Sequence, residues 1–298
     1  MSKAIHLKYL IVNSNDLLWG ITCNTVGFQH ISENMVYPPT NHPTRYLFST
    51  NRGRILDEYQ LLYISKGSGT FMSANTKKQQ ISEGNMFLLF PGEWHNYKPD
   101  KSGWDEYWIG FNGVNVDSRV KNGFFSKEKP IFKVGINDEI VQLYQQAIQI
   151  AIEQKSGFQQ MLAGIVNHLL GLAYSLEKNQ LFEESQVITM INKAKVTMVE
   201  NLFNNIKQET IAESLNISYS KFRKVFKEYT GLAPSQYMQE LKMQKAKELL
   251  TNTNKTIKEI AYEIGFENQE YFFSAFKNKC KMTPASYREY TQGRQKLE

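Results

Sequence analysis

Along residues 59–113 the apolar positions come in short runs broken by turn-forming residues. YQLLYIS (59–65) reads as an apolar, aromatic strand, Lys66-Gly67-Ser68-Gly69 as a turn, and TFMSA as a second strand. Residues 76–84 are polar and end in the turn signal Glu83-Gly84-Asn85. MFLLF (86–90) reads as a buried strand that Pro91-Gly92-Glu93 breaks, and WHNYKP and DEYWIGFNG (105–113) continue the series. Short strands between regular turns predict a sandwich or jelly-roll barrel.

From Asn137 the period changes to that of a helix. Asn137 predicts an N-cap, with Asp138 and Glu139 in the first turn where the helix dipole favours acids. Ile140, Leu143, Tyr144, Ala147, Ile148 and Ala151 follow on one face. Lys155-Ser156-Gly157 interrupts, and a second helix to about Lys178 carries Leu162, Ile165, Val166, Leu169, Leu170, Ala173 and Leu176 on one side. One apolar face can cover the strands; another can pair two copies of the chain, or the hairpin packs within one copy only. Residues 179–185, NQLFEES, read as a linker.

The remainder contains a repeat. Ile211-Ala212 matches Ile260-Ala261 at an offset of 49, and Phe222, Phe226, Pro234 and Tyr237 match Phe272, Phe276, Pro284 and Tyr287 at an offset of 50. Each copy predicts helix, tight turn, helix. In the first, Asn216 takes the cap position after Leu215, Ser218 starts the next helix, and Phe222, Val225 and Phe226 face inward. In the second, Thr256 and Glu259 form a capping box, Gly265 ends the helix, and Asn268 caps a helix with Phe272, Phe273 and Phe276 inside. Tyr219, Ser220, Lys221, Arg223, Lys224 and Lys227 are left on or near the open side of the first copy. A helix anchored by one apolar face can enter a DNA major groove while its polar side reaches base edges and its lysines hold phosphates. The long stretch 235–250 would set the distance between the copies.

Charge sharpens this division. The 298-residue chain has a net charge of +6, yet residues 1–184 are neutral, so the whole excess lies in 185–298. A basic module on a neutral one fits a polyanion partner or, more plainly, a solvated lysine-rich surface. All four Trp and 15 of the 18 Gly precede residue 184, which keeps the turn-rich and helical parts distinct. No apolar stretch approaches the roughly 18 to 20 residues of a membrane span. The N-terminus makes a poor signal peptide, and Cys23 and Cys280 give neither a disulfide frame nor a metal motif, so the cytoplasm is the expected compartment.

IAESLNIS, FRKVFKEYTGLAPSQY, AKELL, IKEIAYEIGFENQEYFFSAFK and MTPASYR together resemble the paired helix-turn-helix domain of the AraC/XylS transcription regulators. The resemblance covers about residues 186–290 and implies a regulator that binds promoter DNA. By position it places groove-facing residues at Ser220, Arg223 and Lys224 in the first recognition helix, with Lys221 and Lys227 beside them, and at Gln269, Glu270, Tyr271 and Ser274 in the second. Arg223 suits guanine and Gln269 adenine; Glu270 suits cytosine or is a solvated carboxylate at the helix start. Two departures stand out. Lys281 occupies a usual glycine position, where a left-handed cap costs a lysine about 1 kcal/mol, so a different local turn is expected. Gln208 stands where an apolar core residue is usual, so a looser start to its helix is expected.

EYQLLYISKGSGTF, ISEGNMFLLFPGEWHNYKP and DEYWIGFNG resemble the cupin-like sensor domain of the same family, including its arabinose-responsive members. The implied fold is multi-domain α and β: a cupin-like barrel over 1–136, a dimerising hairpin over 137–178, a linker over 179–185 and an all-α double helix-turn-helix domain over 186–298. The implied effector site comprises Arg52, Tyr97, Glu106 and Trp108. An aromatic platform with a few polar groups suits a saccharide, and Glu106, standing where histidine is found in the arabinose-responsive site, still accepts from hydroxyls. The alternative roles are barrel core for Tyr97 and Trp108 and a surface ion pair for Arg52. A cupin enzyme would need clustered histidines, whereas His95 stands alone in its strand and His6, His30, His42 and His168 are scattered. No catalytic constellation, cofactor or metal site is expected. The expected partners are promoter DNA, a small effector and a second copy; an effector-independent regulator, whose barrel would be closed by Tyr97 and Trp108, is the other reading.

Overall fold

The computed structural model describes residues 6–38, 50, 52–183, 187–204 and 206–293. The chain divides into two compact units, Met1–Leu181 and Phe182–Glu298.

The first unit is a sheet with helices on one of its faces. Its elements are β1 (His6–Tyr9), α1 (Ser14–Leu18), β2 (Thr22–Ile31), β3 (Arg54–Ile55), β4 (Tyr59–Ser73), β5 (Gln79–Ser82), β6 (Asn85–Leu89), β7 (Trp94–Asn112), α2 (Val114–Lys121), β8 (Ile131–Lys133), α3 (Asp138–Glu153) and α4 (Phe158–Glu183). The strands join antiparallel in the order β1-β2-β7-β4-β6-β8, with β3 added to β7 and β5 to β4.

The turn expected at 66–69 is not a turn, and WHNYKP and DEYWIGFNG belong to one strand. β4 and β7 run unbroken through both segments and pair along most of their length, with irregularities at Ile64/Lys66 and Gly67/Gly69. The glycines there permit close approach: a Cβ on Gly67 would lie 2.3 Å from the Gly103 carbonyl oxygen, and one on Gly69 2.3 Å from that of Lys98. Bulges of this kind bend a strand without ending it, so two long strands serve both halves of the sheet.

Strand alternation then sorts the side chains. Leu61, Tyr63, Met86, Leu88, Tyr107, Ile109 and Phe111 join one core with the apolar faces of α3 and α4. The alternate positions Leu62, Ile64, Phe87, Leu89 and Trp108 build a second core with Phe71, Tyr97 and Trp104. Asn137 caps α3 through its side chain, and Ile140 to Ala151 and Leu162 to Ala173 are buried at the predicted spacing. The linker expected over 179–185 is helical as far as Glu183, in keeping with the good helix formers Gln180, Leu181 and Glu183; its last residues lie outside the described ones.

The second unit is all-helical: α5 (Val187–Glu200), α6 (Gln208–Ser214), α7 (Tyr219–Thr230), α8 (Pro234–Asn252), α9 (Ile257–Glu263), α10 (Gln269–Cys280) and α11 (Pro284–Thr291). It has two cores, one around Phe222 and Phe226 and one around Phe272 and Phe276, matching the repeat. Asn216 (φ 55°) and Gly265 (φ 74°) make the two left-handed turns. Lys281 adopts φ 60°, so the turn after α10 keeps the left-handed form despite the lysine: the Lys281 amide donates to the Lys277 carbonyl at 2.8 Å. Gln208 opens α6 half-buried, and its Oε1 has no hydrogen-bond partner. Among the described residues, no helix is long and apolar enough to cross a membrane.

Candidate binding recess and nucleic-acid interface

Three of the four residues expected at the effector site meet in one recess of the first unit. Tyr97, Glu106 and Trp108 line it with Tyr37, Gln60 and Arg54. β7 brings Glu106 and Trp108 there because residues two apart share a face; Tyr107, between them, points to the helices. Arg52 does not line the recess. It is exposed, in a turn ahead of β3, where its carbonyl oxygen accepts from Trp94 Nε1 at 2.8 Å. The arginine in the recess is Arg54, held inward by β3, where it pairs with His95. Arg52 and Arg54 have the same parity along the chain, so spacing alone does not choose between them; the start of the strand does.

The Arg54 guanidinium is the centre of a polar network. Its Nη2 donates to Tyr97 Oη at 2.6 Å and to Gln60 Oε1 at 3.4 Å, and its Nε donates to His95 Nε2 at 3.3 Å. Burial first, and the guanidinium second, depress the His95 pKa to about 3. The imidazole is therefore neutral, with Nδ1–H donating to the Glu93 carbonyl at 3.1 Å and Nε2 left as acceptor for Arg54. The isolated histidine of the sequence thus orients an arginine. Among the described residues, no three His, Cys, Asp or Glu side chains cluster as a metal site would require.

Glu106 is 3% exposed, and burial raises its carboxyl to about 8, against the opposing pull of Arg54 and of a hydrogen bond from Tyr37. The Tyr37 hydroxyl lies 3.3 Å from both Glu106 oxygens. Its ring meets Trp104 edge-on, centroids 6.0 Å apart, and lies 6.1 Å from Tyr97. Burial lifts Tyr97 to about 12, so its hydroxyl stays protonated. The recess leaves only about 20 Å³ free, room for a water or two and well below the ~300 Å³ at the low end of small-molecule sites. Tyr37, Arg54 and Gln60 escaped the sequence reading. Tyr37 belongs to no regular element, and the two-residue β3 shows no periodicity.

In the second unit the sequence-predicted residues fall on exposed helix faces. The Ser218 side chain caps α7 by accepting from the Lys221 amide at 3.3 Å. Phe222 and Phe226 fix the inner face, leaving Ser220, Lys221, Arg223, Lys224 and Lys227 exposed. Among the described residues none of these four cations is in an ion pair, whereas Lys245, Lys255 and Lys279 are paired with Glu248, Glu263 and Glu240. On α10, Asn268 caps the Glu270 and Tyr271 amides at 2.7 and 3.4 Å. Gln269, Glu270 and Ser274 line one shallow concavity with Lys258 and Glu267. Tyr271 stands outside it, 62% exposed and leaning on Phe266. α8, which joins the two copies, has 19 residues and so is about 28 Å long.

Comparison with known proteins matches a domain to each part of the chain. Residues 35–182 match an AraC-like ligand binding domain, and residues 211–290 a helix-turn-helix domain. The lactose operon transcription activator of Staphylococcus xylosus is 26% identical over 76% of this chain and 82% of its own length. The Msm operon regulatory protein of Streptococcus mutans is 26% identical over 80% of this chain and 86% of its own. The raffinose operon transcriptional regulatory protein of Pediococcus pentosaceus is 24% identical over 82% and 88%.

Proposed function

The chain belongs to the AraC family, a DNA-binding transcription regulator controlled by an effector, and from that premise we propose that the effector is a saccharide held by Tyr97, Glu106, Trp108 and Arg54. The observation that carries this reading is the recess lining: a buried carboxyl, a guanidinium and an amide beside the faces of Trp108 and Tyr97. Such a set offers acceptors and donors to hydroxyls and flat apolar surfaces to C–H faces. The names of the lactose and raffinose operon relatives point the same way.

On the DNA side, α7 supplies Arg223 for a base edge and Lys221, Lys224 and Lys227 mainly for phosphates, with Ser220 beside them. Gln269, Glu270, Tyr271 and Ser274 of α10 read the next groove with less electrostatic affinity. Two copies pair through the 137–178 hairpin, where Met161 is 59% exposed and nothing lies within 4 Å of a Cβ on Gly164 or Gly171, so a partner helix can come close. Free Cys23 and Cys280 fit the cytoplasm. The small cavity favours a second reading, regulation without an effector, unless the recess opens.

Melting of the full chain with lactose, raffinose, galactose and glucose decides between them. A sugar that binds the folded state raises the melting temperature by mass action. A shift with at least one of these supports the saccharide; none with any of them favours the second reading.

A further inference from the structure

We propose that Tyr37 is an internal stand-in for the effector: its phenol hydroxyl occupies the place on Glu106 that a hydroxyl of an uncharged polyhydroxylated ligand takes, and binding displaces it. The proposal rests on the reading of the recess as the effector site and adds how that site opens.

Three observations carry it. The first is the fit. Tyr37 Oη stands at 3.3 Å from each Glu106 oxygen, the geometry in which one hydroxyl serves a carboxyl, and its ring packs against Trp104 and Tyr97. The second is space: with Tyr37 in place the cavity is about 20 Å³, so no sugar enters unless a side chain leaves. The third is what can leave. Tyr97, Glu106 and Trp108 belong to β7, which is paired on both sides by β2 and β4, and Arg54 belongs to β3. Tyr37 lies in no strand or helix, and its neighbours Met35 and Val36 are 44% and 75% exposed. The wall that yields at least cost is therefore Tyr37.

The chemistry of the displaced group defines the ligand. Glu106 takes its hydrogen bond from a hydroxyl, so the incoming group is a hydroxyl. The two Glu106 oxygens at this place face an anionic ligand's own acceptor oxygens, and the Arg54 guanidinium beside them opposes a cationic one. What remains is a neutral polyol. Displacement of Tyr37 from Glu106 then shifts the chain next to Pro38, while the Asn34 amide still donates to the Lys101 carbonyl, which gives effector binding a mechanical consequence.

The test compares wild type, Tyr37→Phe, Tyr37→Ala and Glu106→Gln by titration with lactose, raffinose, galactose and glucose. Tyr37→Phe keeps the ring and removes the competing hydroxyl. One hydrogen bond of ordinary net strength corresponds to a dissociation constant lower by roughly 2- to 10-fold for the sugar that wild type binds. Tyr37→Ala should bind that sugar at least as well, and Glu106→Gln should bind it more weakly. A crystal structure of the complex should show a sugar hydroxyl on Glu106 and Tyr37 moved away. Unchanged affinity in Tyr37→Phe, with Tyr37 still on Glu106 in the complex, overturns the stand-in and leaves the saccharide site intact. If no sugar binds wild type or Tyr37→Ala, the saccharide reading itself fails and the stand-in with it.

Discussion

Glu106 and His95 lie on one strand near the same guanidinium, yet burial moves them in opposite directions along the pH axis. The Glu106 carboxyl is raised from 4.5 to about 8, so its contribution to stability is complete below 4.5 and is lost as pH rises towards 8. The His95 imidazole is lowered from 6.5 to about 3, so its contribution is complete above 6.5 and is lost as pH falls towards 3. Arg54, Tyr37 and Tyr97 are the other charged or titratable groups of this network, and both tyrosines are raised by burial and stay neutral throughout. The pair thus predicts a flat stretch between about 4.5 and 6.5 and a decline from 6.5 to 8. Glu106→Gln should remove that decline, so that variant and wild-type melting temperatures diverge in the variant's favour as pH rises; parallel curves would show that Glu106 does not titrate there. At this scale Tyr97, Glu106 and Trp108 were legible because a strand's two-residue period and a familiar pattern fix their side of the sheet. Arg54 and Tyr37 were not, because their positions depend on contacts with segments distant in sequence.

The helices of the second unit start and stop where local chemistry says they should, and this is why their boundaries were readable. Ser218, Thr256 and Asn268 each accept from a backbone amide at the head of the next helix. Lys281 is the exception that sharpens the rule. It takes the left-handed cap conformation expected of glycine, since the packing of Phe276 below and of Pro284 beyond holds the turn. Lys281→Gly should relieve about 1 kcal/mol of backbone strain and raise the melting temperature by a few degrees, with Lys281→Ala unchanged as the control; equal shifts in both would mean the lysine side chain, not its backbone, is at fault. The strands were read less well. Gly67 and Gly69 look like turn residues in sequence, but their lack of a side chain lets β4 and β7 approach closely, and a bend and a turn draw on the same residue types. Lys242, buried in α8, donates to the Gly265 carbonyl at 3.1 Å and lies over the Phe266 ring. The bridging helix is in this way tied to the turn that orients α10, a contact no local pattern announces.

At the level of the whole molecule, the neutral part of the chain holds the recess and the part with the net charge of +6 holds the repeat. That asymmetry gained meaning only with the helix faces, for it is Lys221, Arg223, Lys224 and Lys227 that stand exposed together on α7. The central claim is that this face binds DNA, with Arg223 reading sequence and the lysines neutralising phosphate. The most direct measurement is the affinity, across a salt series, of the full chain and its α7 variants for a DNA duplex enriched by the wild-type protein from a random-sequence pool. Lys221→Ala and Lys227→Ala should each lower the slope of log K against log salt by about 0.9. Arg223→Ala should cost roughly 1–3 kcal/mol of discrimination at one base pair. Unchanged affinity, slope and base preference in all three variants would contradict the assignment of α7 as the recognition helix.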